Sequence, residues 1–369
     1  MFIFAGAGFY NPETKRISIG GVETYIYDLA KLSVEMGYSP VVCELNREQK
    51  DNHYQFDGIE IWQIPHKGKS FIQKGFDRIY KEYNNDENLF VISTDQMTIK
   101  APYQNVIAIN HGIAFDEPIP GIKGRVIKLL KCLKNIWRGQ LVPNVVCVDY
   151  NYYNWFRTLA TISDESKFIV IPNYSQGQIN ADFLNNKLQK SKRRKIVFAR
   201  RFVWYRGTKI FAEAISRILK EFTDIEVTFA GTGPLEGYLK DKFKNCRQVN
   251  FTSYKSCDSV SFHSDFDIAV VPTIFSEGTS LSLCEAMSAG CFCIATRVGG
   301  MTNIVVDNFN GRLIEPTVNG IYSTIKDTLN LDDDQFNRIV RNGYQTACQG
   351  FSKLQWQNKW TNYISLISK

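Results

Sequence analysis

Residues 268–295 read Ile268-Ala-Val-Val-Pro-Thr-Ile-Phe-Ser-Glu-Gly-Thr-Ser-Leu-Ser-Leu-Cys-Glu-Ala-Met-Ser-Ala-Gly-Cys-Phe-Cys-Ile-Ala295. Apolar runs at 268–271 and 292–295 have the length and content of buried strands, and about 279–289 has helical spacing. A strand, a helix and a strand this close together form a βαβ unit, whose strands run parallel. The same rhythm continues outward. Upstream stand strands at 196–199 and 227–230 with a helix at 209–222 between them. A second series fills the first half: Phe2 to Ala5, a helix from Val22 to Met36, then strands at 40–43, 59–62, 89–92, 106–109, 145–148 and 169–173. The expected fold class is α/β, with two Rossmann-like doubly wound domains facing a cleft, over residues 1–173 and 174–352. A terminal helix at about 353–369 would return to the first domain. The polar, basic stretch 185–195 shows neither period and reads as an exposed segment near the junction.

Composition narrows the function classes. The 369 residues are 44% hydrophobic and 22% charged, with a formal charge of +7, the balance of a globular protein with a sizeable core. No apolar run reaches membrane-spanning length, and the N-terminus lacks a basic leader, so the chain reads as cytoplasmic. Nine cysteines without framework spacing point to a reducing compartment; Cys291 and Cys293, in a strand-like run, read as buried thiols. Basic residues gather at 122–138 and 187–195, but no nucleic-acid motif accompanies them.

The loop inside the opening stretch carries chemistry. Glu277 follows a strand, Gly278 lets the chain turn, and Thr279, Ser280 and Leu281 begin a helix. The first amides of a helix lack internal partners and carry the positive end of its dipole, which suits a diphosphate. Glu285 lies about a turn further on, within reach of a ribose attached to that phosphate. Two glutamates could mark a solvated helix face. The apolar Leu281, Leu283, Cys284 and Ala286 around them argue instead for a buried helix, where a carboxylate needs hydrogen-bond partners.

This Glu-x7-Glu segment resembles the signature of glycosyltransferase family 4. Ala199-Arg-Arg-Phe-Val-Trp-Tyr-Arg-Gly207 resembles that family's Gly-Arg-Leu…Lys-Gly segment, with Arg200 in place of glycine and Arg206 in place of lysine. Ala230-Gly231-Thr-Gly-Pro234, Val170-Ile-Pro-Asn173, Val298-Gly-Gly300 and Asn310-Gly311 follow in family order, although Asn303 stands where glutamate is common. Near the N-terminus, Ile19-Gly20-Gly21-Val-Glu23 resembles the family's glycine loop, and His111 matches its N-domain histidine. Gly6-Ala-Gly8 is not a dinucleotide fingerprint, because a third glycine is missing and Asn11-Pro12 intervenes.

The resemblance implies a GT-B enzyme that retains the donor's anomeric configuration without a metal or other cofactor. Its donor would be a nucleotide-diphosphate sugar, UDP ahead of GDP or ADP, and the moved unit a hexosyl or N-acetylhexosaminyl group. Glu277, Arg201, Arg206 and His111 would be catalytic. Gly20, Gly21, Gly231, Gly278, Thr279, Ser280, Leu281 and Glu285 would hold the donor, and His111 would also lie near the acceptor. Asp95, at another strand end, reads equally as an acceptor contact or a loop cap. The acceptor class implied is a glycan hydroxyl, lipid-linked as in O-antigen, capsule or lipopolysaccharide synthesis. Residues 122–138 carry six basic residues and no acid, with apolar residues at helical spacing. Through Lys123, Arg125, Lys128, Lys131, Lys134 and Trp137 such a helix suits an anionic membrane surface; alternatively it packs its apolar side on the first domain. A sugar phosphorylase, a nucleotide-sugar epimerase or a non-catalytic nucleotide-sugar or membrane binder are the competing functions.

Overall fold

The fold is given by a computed structural model that describes every residue except 19, 47–49, 66–70, 86, 94–98, 114, 161–166, 190–193 and 369, and leaves the side chains of 7, 71 and 72 aside. The chain forms two compact units. One comprises Met1–His111, Ile119–Ile171 and the residues from Gln357 onward; the other comprises Gly112–Pro118 and Pro172–Trp356.

The first unit is built on eight strands in the spatial order Phe168–Val170, Asn144–Cys147, Val106–Asn110, Phe90–Ile92, Phe2–Ala7, Val41–Asn46, Ile59–Pro65, Asn52–Phe56. All neighbours are parallel except the last pair, where Asn52–Phe56 runs antiparallel at the edge. The central strands are apolar on both sides, as parallel strands covered by helices must be. Phe2, Phe4, Phe76 and Phe90 pack into one core on this sheet.

The second unit has six parallel strands, ordered Val249–Thr252, Glu226–Ala230, Lys195–Ala199, Ile268–Val271, Phe292–Thr296, Arg312–Ile314. Counted along this unit, the order is 3-2-1-4-5-6, that of a dinucleotide-type Rossmann sheet. Alternation sorts the strand Lys195–Ala199 onto both faces: Ile196 and Phe198 enter one apolar cluster, Val197 and Ala199 the other. Phe198, Phe211 and Phe229 interlock in the first, each fully buried, a burial worth about 1.5–3 kcal/mol per side chain. The strand order reverses between Lys195–Ala199 and Ile268–Val271, and ligands of such sheets sit beyond the carboxyl ends of the strands at that point.

Two sequence expectations need correction. Residues 112–118 cluster with the second unit, not with 1–173, because Asp116 accepts a hydrogen bond from the Ser276 amide at 2.9 Å and Gly112 lies directly on Gly278. The stretch 185–195 is not wholly an exposed segment: Ala181–Leu188 is a helix capped by the Asn180 side chain, with Leu184, Lys187 and Leu188 buried. The Lys187 ammonium is satisfied by the Ala289 carbonyl at 2.9 Å. The terminal helix Lys353–Ile367 divides between the units. Trp356 packs on Tyr174 in the second, and Trp360 donates to the Tyr25 hydroxyl at 2.8 Å in the first.

Candidate active site

The loops after the two switch-point strands, 200–207 and 272–280, meet around one carboxylate. Glu277 is buried, and its Oε2 accepts from the Arg200 guanidinium at 2.7 Å, the Thr273 hydroxyl at 2.7 Å and Arg206. Burial works to raise its pKa, but the two guanidiniums and the hydroxyl outweigh that and hold it below the ordinary carboxylate value. Glu277 is therefore ionised.

Its neighbour Ser276 takes a positive φ of 59°, a conformation that costs a non-glycine residue free energy. The backbone is held there from both ends. Asp116 binds its amide, and Arg206 donates to its carbonyl at 3.1 Å. Asn173 donates to the Thr279 carbonyl at 2.6 Å, which gives the Val-Ile-Pro-Asn segment a definite task. The glycine pair has one as well. A Cβ on Gly300 would collide with the backbone of Gly278 and Thr279, while the Gly300 amide donates to the Glu277 carbonyl at 3.1 Å. Only glycine admits such an approach. Gly231, assigned from sequence to donor binding, sits with its α-carbon against the Arg200 carbonyl and so supports the arginine loop from beneath.

The helix itself runs Leu281–Ser288, with Ser280 as N-cap. Thr279 and Ser280 thus precede it rather than belong to its first turn. Ser280 makes no side-chain cap, and its hydroxyl is buried without a hydrogen-bond partner among the described residues. A helix N-terminus that lacks a side-chain cap is a ready seat for an anion, because its first amides have no partner within the helix. Arg201 is exposed and its guanidinium has no ion-pair or hydrogen-bond partner among the described residues. Glu285, in the body of the helix, is buried; burial pushes its pKa up to about 7, with the Ser259 hydroxyl opposing.

In the first unit, Gly20 caps the helix Gly21–Glu35, and the Glu23 side chain folds against its α-carbon. His111 directly follows the strand Val106–Asn110 and stands edge-on to Tyr25 with ring centroids 5.2 Å apart. Burial lowers its pKa to about 4, against a backbone hydrogen bond at Ser93, so the ring is neutral near pH 7. Its Nε2 is shielded from solvent and has no hydrogen-bond partner among the described residues. Asp95 lies outside the described residues. The structure groups Glu277, Arg206, Gly231, Gly278, Thr279, Ser280, Leu281 and Glu285 within one unit, whereas Gly20, Gly21 and His111 belong to the other. The residue that sequence reasoning passed over is Arg200, treated there only as a departure from glycine.

Residues 193–330 match the family of glycosyl transferases group 1. A UDP-Gal:α-D-GlcNAc-diphosphoundecaprenol α-1,3-galactosyltransferase of Escherichia coli is 26% identical over 278 residues, 71% of this chain and 69% of that protein. A sucrose-phosphate synthase from Thermosynechococcus elongatus superposes with a TM-score of 0.75 at 13% identity, covering 100% of this chain and 98% of the other. The chain is a glycosyltransferase of the GT-B type. HepE of Anabaena, solved in complex with UDP-glucose, shares this transferase's fold with a TM-score of 0.72 at 13% identity and 99% coverage of each chain.

The transferase also carries the basic helix, observed as Gly121–Gly139. Its buried residues are Gly124 and Gly139. Ile122, Val126, Leu129, Leu130, Leu133 and Trp137 are each at least half exposed. Of the stripe only Ile136 is half-buried, so most of it does not pack on the first unit among the described residues, which goes against that alternative; Lys123, Arg125 and Lys134 are exposed beside it. Among the described residues, no helix is long and apolar enough to cross a membrane.

Proposed function

We propose that this glycosyltransferase moves a hexosyl or N-acetylhexosaminyl unit, with retention, from a nucleotide-diphosphate sugar to a hydroxyl of a lipid-linked glycan in bacterial surface polysaccharide synthesis. The observation that carries this reading is the uncapped start of helix Leu281–Ser288, with the unpartnered Ser280 hydroxyl, beside Arg201, Arg206 and the ionised Glu277 at the switch point. A UDP donor is supported by the galactosyltransferase and HepE, whose names state UDP-Gal and UDP-glucose. The lipid-linked acceptor is supported by the diphosphoundecaprenol acceptor that the first of these names.

In this reading the helix amides and Ser280 hold the diphosphate, and Glu285 accepts from the ribose hydroxyls. Glu277 orients the sugar. The bond from the anomeric carbon to the diphosphate oxygen breaks as the acceptor oxygen forms its bond on the same face. The acceptor's proton passes to the departing diphosphate oxygen. Arg201 and Arg206 stabilise the charge that develops there. His111, neutral and with a free ring nitrogen, makes a hydrogen bond to a substrate hydroxyl. Guanidiniums and helix dipole supply the positive charge that a divalent ion would bring, so turnover should persist in EDTA.

The test is a thermal-shift panel of nucleoside diphosphates and nucleotide sugars, followed by NMR of the product's anomeric centre. A tight donor raises the melting temperature by mass action. Stabilisation by UDP and its sugars with retention in the product supports the reading; inversion, or sugar phosphate formed from inorganic phosphate, replaces it. For the basic helix we propose an anionic membrane surface as the contact. Co-sedimentation with vesicles containing phosphatidylglycerol should be lost in Lys123→Glu/Arg125→Glu/Lys134→Glu; equal binding by the variant removes this contact.

A further inference from the structure

All three donors that reach Glu277 converge on a single oxygen. Arg200, Arg206 and Thr273 each bond Oε2, and Oε1 accepts no hydrogen bond among the described residues. A carboxylate has about four acceptor positions, two on each oxygen. Here one oxygen is saturated and the other is left open in a side chain only 8% exposed. Arg200 is as deeply placed, 7% exposed, and its second bond, to Thr273 Oγ1 at 2.8 Å, ties it to the residue that also donates to Glu277. The three side chains form a closed triangle that fixes the carboxylate's rotation about its last bond.

We propose that Arg200 is a positioning residue for transfer: by locking Oε2 of Glu277 within this triangle, it presents Oε1 as the acceptor for a hydroxyl of the donor sugar. This rests on the reading of Glu277 given above and adds what holds it in place. Arg206, with its side chain 24% exposed, shares its guanidinium between Glu277 and the Ser276 carbonyl. It cannot by itself fix which oxygen faces out. Without Arg200, the carboxylate can turn and give both oxygens to Arg206, a bidentate arrangement that guanidinium favours. The hydroxyl then meets a misdirected acceptor, and misplacement near 1 Å is enough to cost about 100-fold in rate.

The experiment compares Arg200→Ala, Arg200→Gln, Arg200→Lys and Glu277→Gln with the full-length wild type. It reads kcat and KM for the nucleotide sugar, the thermal shift given by UDP, and the pH profile of kcat. A positioning role predicts about a 30- to 100-fold loss of kcat in Arg200→Ala, with the UDP shift retained. It also predicts an acid limb of kcat moved upward. Burial, which raises the Glu277 carboxyl, would lose its strongest counterweight in that variant. Lys should restore part of kcat and Gln less, and the Gln variant serves if Ala does not fold. Loss of kcat matched by equal loss of UDP binding in every folded variant, or unchanged kcat and pH profile, overturns the proposal. If Glu277→Gln itself turns over normally, the reading of Glu277 falls; if it fails while the Arg200 variants behave as wild type, only Arg200's role falls.

Discussion

The two units place opposite kinds of side chain at their strand ends. In the second, the loops at the switch point carry Arg200, Arg206 and Glu277 as fixed ions in mutual contact, with Arg201 exposed beside them. In the first, the strand Val106–Asn110 is followed by His111, whose half-buried neutral ring leans on Tyr25. Fixed charge stabilises a transition state in which charge develops, and its effect is largest where water is excluded. A neutral imidazole offers a hydrogen bond without a competing charge. In the proposed reaction, charge stabilisation would fall to the second unit and hydroxyl recognition to the first.

The largest effect should come from the charged side. Glu277→Ala leaves Arg200 buried without its carboxylate and removes the proposed sugar contact. A loss of roughly 1000-fold in kcat is expected, at the upper end for one electrostatic group. A loss under tenfold, measured at saturating donor, would break the contrast. His111→Ala should cost less, roughly 10- to 100-fold, within the range of a single positioned hydrogen bond or proton-handling group. Because its pKa lies at about 4, the wild-type profile should show no histidine limb between pH 5.5 and 7.5. A limb there that disappears in His111→Ala would show that the ring titrates.

The smallest effect sharpens the picture within the second unit. Glu285 has a pKa raised from 4.5 to about 7, so the folded protein holds a proton that the unfolded chain has released. Stability should therefore fall as pH rises from about 4.5 through 7, since the folded state binds more protons there. If Glu285 accepts from the ribose as proposed, UDP affinity should run the other way, strengthening severalfold from pH 6 to 8 as its carboxylate forms. Glu285→Gln should flatten both dependences. Unchanged slopes in that variant would detach Glu285 from the nucleotide.

The parallel rhythm, the loop at 277 and the helix behind it could be read from the sequence because each depends on local pattern: apolar runs, a turn glycine, helical spacing. The 3-2-1-4-5-6 order could not, since strand pairing is not written in any one segment. Arg200 was hidden by its own motif, where it registers as an exception to glycine. The available signal was physical: a guanidinium directly after the apolar run Ile196–Ala199 has to find an anion when buried. Lys187 was missed in the same way. Its helix offers few apolar residues, and one of the groups it buries is a lysine that closes on the Ala289 carbonyl. The move of residues 112–118 into the second unit depends on contacts with Ser276 and Gly278 that lie far away in sequence.

The most direct test of the central claim compares calorimetric titrations of UDP and of uridine into the wild type and into Arg201→Ala/Arg206→Ala. If these arginines, with the start of helix Leu281–Ser288, form the diphosphate seat, UDP affinity should fall about 100-fold or more in the variant. Uridine affinity should stay within about threefold, since the nucleoside carries no phosphate for those guanidiniums to bind. Equal weakening of both ligands, or UDP binding that survives the double substitution, would contradict the account.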